Sequence, residues 1–181
     1  MVVLINGSFG VGKTTVARML RRALRGSVLY DPEWAGIAMM RLSRWATFWR
    51  PAAEDFQDFP LWRKSAVAGV RLFRALCGGP VIVPMTFTRR EYFDEVVRGI
   101  RGFDPEVRVF CLRAGLPTVK ERLAGRGTPA EGPGSEWCAR RIVECAEALR
   151  DPHFGEPVET EGRPARAVSE EVVERLRNLN Q

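Results

Sequence analysis

A glycine-rich stretch near the start of the sequence has the residue types needed to hold a phosphate group. Residues 7–14 match the pattern G-x-x-x-x-G-K-[ST] at every fixed position. The glycines allow successive backbone N–H groups to curl around an anion. Lys13 can reach the β- and γ-phosphates, and the Thr14 hydroxyl can bind Mg²⁺. The pattern therefore predicts a phosphate-binding loop (P-loop) for ATP, formed by Gly7, Ser8, Phe9, Gly10, Val11, Gly12, Lys13, Thr14 and Thr15.

The residues on either side of this loop support the prediction. The apolar string VVLI precedes it, and apolar residues at helical spacing follow it. A strand, a glycine turn and a helix in this order are what a P-loop requires. The start of that helix also directs the positive end of its dipole at the bound anion. An incidental glycine turn beside a lysine is therefore the weaker interpretation.

A carboxylate is expected at the same edge of the sheet. Residues 27–30 (SVLY) predict a second strand, which ends at Asp31 and Pro32. Ligands of open parallel sheets bind at the carboxyl ends of the strands. Asp31 is thus placed to face the phosphates and an acceptor hydroxyl, as a catalytic base or a metal ligand. Asp is also a good N-cap for the helix that Pro32 begins, and both interpretations remain open.

The third strand, by contrast, is not followed by a carboxylate. Residues 81–85 (VIVPM) form the continuous apolar run expected of a central parallel strand. The next residue is Thr86, at the position where P-loop proteins commonly place an acid that organises Mg²⁺. Either Asp31 takes over this task, or another acid reaches the metal through water.

The segment between the second and third strands, residues 32–77, is predicted to bind the acceptor. Residues 33–50 have a helical pattern of alanine, leucine and tryptophan beside arginines. Such a stripe is most often core, but it could also line an apolar pocket or lie on a membrane surface. A polar loop (54–60) and a helix (61–77) follow, and a cation in that helix's first turn is unfavourable to the helix dipole, which favours a functional role for it. The predicted substrate-binding residues are Asp31, Glu33, Gln57, Trp62, Arg63, Met85 and Thr86.

A lid is predicted at residues 122–141. Residues 127–134 (GTPAEGPG) have the composition of a mobile loop, with two arginines on each side. A closing loop of this kind can bring cations onto a transferring phosphoryl group. At least one of the four arginines, the last of which is Arg141, is expected to be only a solvated helix residue. The candidate catalytic residues are Lys13, Asp31, Arg122, Arg126 and Arg140.

Strands and helices alternate along the chain. Further strands are predicted at residues 107–112 and 158–160, and further helices at 91–101, 117–126, 135–150 and 169–179. This alternation predicts an α/β fold, a right-handed, doubly wound parallel sheet of about five strands. With 181 residues and 45% hydrophobic composition, the chain suits one domain over residues 1–181. The single histidine, His153, follows a helix end and is expected to be structural.

The charge balance narrows the classes of partner. There are 28 basic and 22 acidic residues, a net charge of +6, which suits an anionic nucleotide but also nucleic acid or an acidic membrane surface. The arginines are spread out and no zinc-finger or RNA-recognition signature is present, so nucleic-acid binding is the weaker option. No signal peptide and no apolar run of about 18 residues is found, which predicts an intracellular protein. The four cysteines have no C-x-x-C spacing and are expected to be free, buried thiols.

The motifs together resemble those of the bacterial tunicamycin-resistance family, P-loop proteins related to nucleoside monophosphate kinases and chloramphenicol phosphotransferase. The resemblance rests on the P-loop, YDPE, DFQDFPLWR, VPMT, EYF and WCARRIVEC, and runs from residue 6 to about residue 154. The resemblance is slight from residue 156 onward, and the lid loop is longer and richer in proline and glycine than the family's. It implies a P-loop NTPase fold of the nucleoside and nucleotide kinase type.

What the resemblance implies for function is ATP-dependent resistance to tunicamycin, a uridine-containing antibiotic with a fatty-acyl tail. Asp31 occupies the place of the base or metal organiser in the related kinases, so Thr14 and Asp31 are the expected Mg²⁺ ligands. Phosphorylation of the drug, binding of the drug without transfer, and a kinase for another metabolite all remain open. A cytoplasmic protein is expected, with peripheral contact to the inner face of the membrane suggested by the tryptophan stripe and the lipidic ligand.

Overall fold

Five parallel strands form the sheet at the centre of the molecule. The computed structural model describes residues 1–33, 56–125 and 135–178, with the backbone alone for residue 56 and residues 135–139. The strands lie in the order β2-β3-β1-β4-β5 and all four pairings are parallel. They are β1 (Val2–Gly7), β2 (Val28–Leu29), β3 (Val81–Pro84), β4 (Val107–Arg113) and β5 (Glu156–Glu159). The predicted doubly wound, five-stranded α/β fold is confirmed.

Helices connect the strands and cover both faces of the sheet. They are α1 (Lys13–Ala23), α2 (Pro60–Leu76), α3 (Arg90–Arg101), α4 (Leu116–Ala124), α5 (Ser135–Ala148) and α6 (Ala165–Asn178), and two 3₁₀ turns lie at Phe56–Asp58 and Pro152–Phe154. Pro32 and Glu33 are helical, as expected, but the rest of the helix predicted at 33–50 lies outside the described residues. None of the helices in the described ranges is long and apolar enough to cross a membrane.

The two faces of the sheet bury two separate apolar layers. Val2 and Leu4 of β1 pack in the layer that also contains residues of α2 and α3. Val3 and Ile5 point the other way and pack with residues of α1 and α6. Because both faces are covered, the central strands are apolar at successive positions instead of alternating. This burial explains why the apolar runs of β1 and β3 predicted central strands correctly.

Several element boundaries differ from those expected, most clearly at α6 and β2. Helix α6 begins at Ala165, four residues before the predicted start at Ser169. Ser169 is instead buried inside the helix, and Pro164 precedes the first turn, where proline is well tolerated. Strand β2 has only two residues because it is an edge strand that pairs with β3 at Val28 and Leu29 alone.

The buried carboxylate of Asp104 forms hydrogen bonds at the amino-terminal edge of the sheet. Asp104 is 6% exposed, and it accepts hydrogen bonds from the Met1 amino group at 3.0 Å and from Arg74 Nε at 2.5 Å. Burial alone would raise the pKa of Asp104, but the hydrogen bonds from the amino group and Arg74 outweigh it and hold the pKa below its usual value.

This lowered pKa predicts acid sensitivity. Because the folded-state pKa lies below the unfolded value of about 3.9, the ionised carboxylate stabilises the fold at pH values above about 4, and that contribution is lost as the pH falls through the folded-state pKa. Asp104→Asn should be less stable than the natural chain at pH 7, and the difference should shrink toward pH 3. Urea denaturation at several pH values measures it, and a difference that does not change with pH would contradict the assignment.

The end of β2 is held in place by an aromatic contact with α2. The Tyr30 ring lies 5.1 Å from the Phe73 ring, centroid to centroid, and its hydroxyl abuts the backbone of Gly69. A methyl group on Gly69 would collide with the Tyr30 hydroxyl and ring edge. Asp31 follows Tyr30 directly in the chain. The contact of Tyr30 with α2 therefore also helps to fix the backbone position of Asp31.

Replacing Gly69 with alanine should therefore destabilise the protein by about 1–3 kcal/mol, because Tyr30 must move out of a packed position. Thermal unfolding measures the loss, which corresponds to a fall in Tm of about 2–4 °C per kcal/mol for a chain of this size. Gly78→Ala is the matched control, because a Cβ at Gly78 would meet no atom within 4 Å. Equal Tm values for the two variants would show that Tyr30 can move away from Gly69 at little cost.

Candidate functional site

The P-loop joins β1 to α1 and has the shape expected of an anion cradle. Gly10 and Gly12 have φ angles of +77° and +109°, which side chains other than glycine rarely adopt. A Cβ on Gly10 would also lie 2.8 Å from Cγ of Leu123, so the loop can pass this close to α4 only without a side chain. The residues present thus fit a bound phosphate group.

Lys13 closes the loop from inside. Its Nζ donates a hydrogen bond to the Ser8 carbonyl at 3.0 Å, and it lies 5.5 Å from the centre of the Phe9 ring. The side chain is buried, with 8% exposed. A cation is therefore held at the loop by contacts within the chain, so little reorganisation is required when a phosphate binds.

Thr14 and Thr15 occupy the first turn of α1, next to this cation. Thr14 is half-buried and Thr15 is exposed. Among the described residues, no group of three or more His, Cys, Asp or Glu side chains could hold a metal ion. Mg²⁺ usually binds through one or two protein oxygens plus substrate phosphates, and the Thr14 hydroxyl fits that arrangement. Its predicted role as a metal ligand stays a prediction.

Asp31 lies at the carboxyl end of β2. Its Oδ1 accepts a hydrogen bond from the Glu33 backbone N–H at 3.1 Å, so the side chain performs the capping role considered from the sequence. Capping uses one carboxylate oxygen and is compatible with a second task for the same group. Burial, and to a lesser extent the Asp31 carboxylate, raise the pKa of Tyr30, which places this charge beside the end of the strand.

The connection after β3 meets the predicted acceptor-binding segment. Gln57 Nε2 donates to the Thr86 carbonyl at 2.5 Å, and Met85 N–H donates to the Ile5 carbonyl of β1 at 3.0 Å. Gln57, Met85 and Thr86 are all buried. The Thr86 Oγ1 atom is buried without a hydrogen-bond partner among the described residues. Buried polar atoms normally have partners, so this hydroxyl could be satisfied by a ligand or a water.

Trp62 brings the end of β2 to the same region. Its Nε1 donates to the Pro32 carbonyl at 3.2 Å, and its ring is 2% exposed. Oε1 of the neighbouring Glu33 is a second buried oxygen without a partner among the described residues. The contacts thus gather Glu33, Gln57, Trp62, Met85 and Thr86 around the ends of β2 and β3, while their predicted contact with a substrate stays a prediction.

Arg63 has a structural explanation that the sequence did not reveal. Its Nε lies 2.7 Å from Glu95 Oε2, its Nη1 donates to the Gln57 carbonyl at 2.5 Å, and its guanidinium carbon lies 4.2 Å from the Tyr92 ring centre. The side chain is only 7% exposed. Glu95 compensates the cation in the first turn of α2, and Arg63 in turn holds the Gln57 segment. Its predicted substrate contact is not tested by this geometry.

The predicted lid arginines have different surroundings. Arg122 of α4 donates to the Val11 carbonyl at 3.1 Å and to the Thr160 hydroxyl and carbonyl at 3.0 and 2.7 Å. It therefore links the P-loop to the connection after β5. Arg140 is exposed on α5, and Arg126 lies outside the described residues. Arg141 is half-buried, with 18% of its side chain exposed, and it pairs with Glu144 at 3.3 Å.

A groove lies directly beside the P-loop, next to the start of helix α6. Its volume is about 170 Å³. Arg122 and Arg163 offer planar cations that can stack on a base. The groove is lined by Gly10, Val11, Gly12, Thr15, Val16, Arg122, Thr160, Arg163, Ala165 and Val168. Sequence reasoning missed Thr160 and Arg163, although the string TEGRP directly after β5 has the composition of a turn at the binding edge.

A second cleft, of about 280 Å³, adjoins Ser8 on the other side of the loop. Arg113 and Arg150 line it together with Glu159. Nη2 of Arg113 donates to the Arg150 carbonyl at 3.2 Å. The cleft therefore adds cations near the P-loop that the sequence analysis did not single out.

His153 makes contacts that agree with the structural role expected from its position. Its Nε2 lies 2.8 Å from Asp94 Oδ1, and its ring packs edge-on against Phe93 and Phe154 at 5.6 and 5.8 Å. Cys77 and Cys111 are free thiols. Cys77 is half-buried, Cys111 and Cys145 are buried, and burial raises the pKa of Cys111.

Comparison with known proteins agrees with this geometry. Residues 2–142 match the AAA domain family. The structure resembles the tunicamycin resistance protein of Deinococcus radiodurans, with a TM-score of 0.75 and 27% identity over 97% of this chain and 94% of that one. The predicted resemblance to a tunicamycin-resistance protein is thus confirmed. No match was found among curated protein sequences.

Two kinases share the fold at lower identity. A sugar kinase from Janibacter sp. has a TM-score of 0.67 and 21% identity over 97% of this chain and 93% of that one. Shikimate kinase from Acinetobacter baumannii has a TM-score of 0.63 and 16% identity over 98% and 93%. At these identities the likeness establishes a kinase-type fold alone. The chain therefore belongs to the AAA domain family, with the P-loop and kinase-type fold that its sequence predicts.

Proposed function

We propose that this protein transfers the γ-phosphoryl group of ATP to a hydroxyl group of tunicamycin or a similar nucleoside, and so confers resistance. The observation that carries the proposal is the pairing of a preorganised P-loop with a carboxylate, Asp31, at the end of a nearby strand of the same sheet edge. The similarity to a tunicamycin resistance protein supports the acceptor. ATP, which supplies the phosphoryl group, is the co-substrate.

Each residue has a task in this scheme. The P-loop N–H groups and Lys13 hold the β- and γ-phosphates, and the groove at Arg122 and Arg163 holds the nucleoside of ATP. Asp31 accepts the proton of the acceptor hydroxyl as the new O–P bond forms and the bond to the leaving ADP breaks. Mg²⁺, when bound through Thr14 and Asp31, would neutralise phosphate charge. Phosphorylation adds negative charge to the drug and should spoil its fit to its own target.

The acceptor-binding segment and the lid complete the proposal. The acceptor would bind over residues 32–77, at Glu33, Gln57, Trp62, Arg63, Met85 and Thr86. A lid at residues 122–141 would carry Arg126 and Arg140 to the phosphates. Residues 34–55 of the acceptor-binding segment and residues 126–134 of the lid lie outside the described ranges.

Incubation with ATP, Mg²⁺ and tunicamycin, followed by mass spectrometry, tests the transfer. The expected product is tunicamycin heavier by one phosphoryl group, together with one equivalent of ADP. Absence of that product while both ligands bind would count against a kinase. A panel of other nucleosides and sugars serves as control, and faster turnover of one of them would identify a metabolite kinase instead.

A protein that binds tunicamycin without phosphorylating it is the second candidate. Thr86 favours it, because no carboxylate follows β3 where P-loop enzymes commonly hold Mg²⁺. In that case ATP would act as a structural co-ligand. Equilibrium binding of tunicamycin with ATP present, without ADP formation, is the result that would support this candidate over the kinase.

We also propose peripheral contact with an anionic membrane, for which helix α2 provides a surface. Leu61, Leu72 and Leu76 are 68%, 57% and 73% exposed, and Lys64 and Arg71 are exposed on the same helix, which has no acidic residue. An apolar row beside cations suits an anionic lipid surface. The tryptophan stripe that first suggested such contact lies outside the described residues.

Flotation with vesicles containing phosphatidylglycerol should therefore recover the protein in the lipid fraction at low salt and less of it at high salt. Leu72→Glu should abolish recovery, because a charge would enter the apolar row, whereas Glu174→Gln on α6 should leave it unchanged. Recovery of the protein in the aqueous fraction alone would contradict the proposal. Dimerisation in solution through the leucine row would also contradict it.

A further inference from the structure

The side chain of Asn6 makes an unusual set of contacts at the start of the P-loop. It is 2% exposed, at the last position of β1 before Gly7. On this face of the strand Val2 and Leu4 belong to the apolar layer, where leucine would pack well. A carboxamide costs free energy at such a position unless its polar atoms are satisfied.

All of its hydrogen-bonding capacity is used on the backbone of the chain. Oδ1 accepts from the N–H groups of Gly7 and Phe87, both at 2.9 Å. Nδ2 donates to the carbonyls of Phe87 at 3.4 Å and Phe154 at 3.3 Å. One side chain therefore connects three separate segments at the binding edge: the P-loop, the connection after β3, and the turn before β5.

Further hydrogen bonds connect the Phe87 segment to the predicted acceptor-binding segment. Phe87 follows Thr86, whose carbonyl accepts from Gln57, and the Gln57 carbonyl accepts from Arg63. Asn6, Thr86, Gln57 and Arg63 are each less than 8% exposed. A buried hydrogen-bonded chain thus joins the first residue of the P-loop to the segment that begins α2.

We propose that Asn6 is a positioning residue that holds the P-loop in a fixed relation to the Thr86 segment. It acts through Gly7 and Phe87 and need not touch a substrate. Without it the N–H groups of Gly7 and Phe87 would lack their acceptor, and each would have to move or remain unsatisfied at a cost. The proposal deepens the proposed function by naming what aligns the two halves of the site, but its test needs nucleotide binding alone.

The test compares Asn6→Leu with Leu4→Ala, which removes apolar contacts on the same face of the same strand. ADP and a non-hydrolysable ATP analogue are titrated by calorimetry, and amide hydrogen exchange is followed at Gly7 and Phe87. For Asn6→Leu we expect affinity to fall at least about tenfold and exchange at both amides to accelerate. Leu4→Ala should lose stability while keeping affinity within about threefold.

Normal nucleotide affinity in Asn6→Leu would overturn the proposal. So would an equal loss of nucleotide affinity in Leu4→Ala, if the two variants have the same Tm. Should Asn6→Leu not fold, Asn6→Asp provides the measurement. This variant keeps an acceptor for the N–H groups of Gly7 and Phe87, but it places a carboxylate oxygen against the carbonyls of Phe87 and Phe154. It should therefore also bind ADP more weakly. Unchanged ADP affinity in Asn6→Asp would equally overturn the proposal. Failure to phosphorylate tunicamycin would leave these results unaffected.

Discussion

Replacing Lys13 with methionine is expected to reduce phosphoryl transfer by about 10²–10³ while leaving the fold intact. Methionine keeps the unbranched apolar stem but removes the buried cation that is held 3.0 Å from the Ser8 carbonyl. Removal of a preorganised charge stabiliser of the transition state costs about 10²–10³ in kcat. ATP affinity should also fall, by about tenfold or more, because a charge-assisted contact to the phosphates is lost.

The measurements are transfer to tunicamycin by mass spectrometry, ATP binding by calorimetry, and thermal unfolding. Lys120→Met is the matched control, since Lys120 is exposed on α4 and should be neutral in all three. A Lys13→Met protein that binds ATP as tightly as the natural chain would show that the P-loop is not the nucleotide site. Loss of binding together with a collapsed Tm would require Lys13→Arg as a second variant, which keeps the charge and should retain partial binding.

Replacing Asp31 with asparagine is expected to reduce transfer by about 10²–10⁴, the usual contribution of a general base. The substitution is conservative in structure, because asparagine is as good an N-cap as aspartate and its Oδ1 can accept the same hydrogen bond from Glu33 N–H, which is 3.1 Å long. ATP binding should stay within about threefold. The variant therefore removes the proposed base and one proposed Mg²⁺ ligand while leaving the cap and the P-loop in place.

This variant also separates the two candidate functions. Resistance of cells should collapse with Asp31→Asn if the protein is a kinase and survive if it only sequesters the drug. Asp94→Asn is the matched control, because it makes the same chemical change at the surface contact with His153. Full transfer by Asp31→Asn would show that Asp31 is not the base. Another acid near the same edge of the sheet, such as Glu33, would then be the candidate.

Much of the fold and part of the site follow from short stretches of sequence. The P-loop could be predicted because its glycines, lysine and threonine are contiguous and the strand and helix around them have their own periodicity. Asp31 could be placed at the edge because SVLY and Pro32 mark the end of a strand and the start of a helix. These signals are local, so no knowledge of distant contacts was needed.

The contacts of the arginines could not be predicted in the same way. The first-turn cation of α2 suggested a functional Arg63, but Glu95, which lies 32 positions further along, compensates it. Arg122 was assigned to a lid on composition, yet it bonds Val11 and Thr160, which are 111 and 38 positions away in the chain. A long side chain can reach several partners, and sequence alone does not say which of them the fold brings near.

By itself, the sequence determined the P-loop, the alternation of strands and helices, the parallel sheet and the family, because each depends on residue types within one turn or one strand. Only the tertiary structure decided that Asn6 joins three segments, that a groove opens between Arg122 and Arg163, and that Gln57 lies against Thr86. Those features are made by side chains meeting across the edge of the sheet, and such meetings depend on strand order and packing, which no local pattern records.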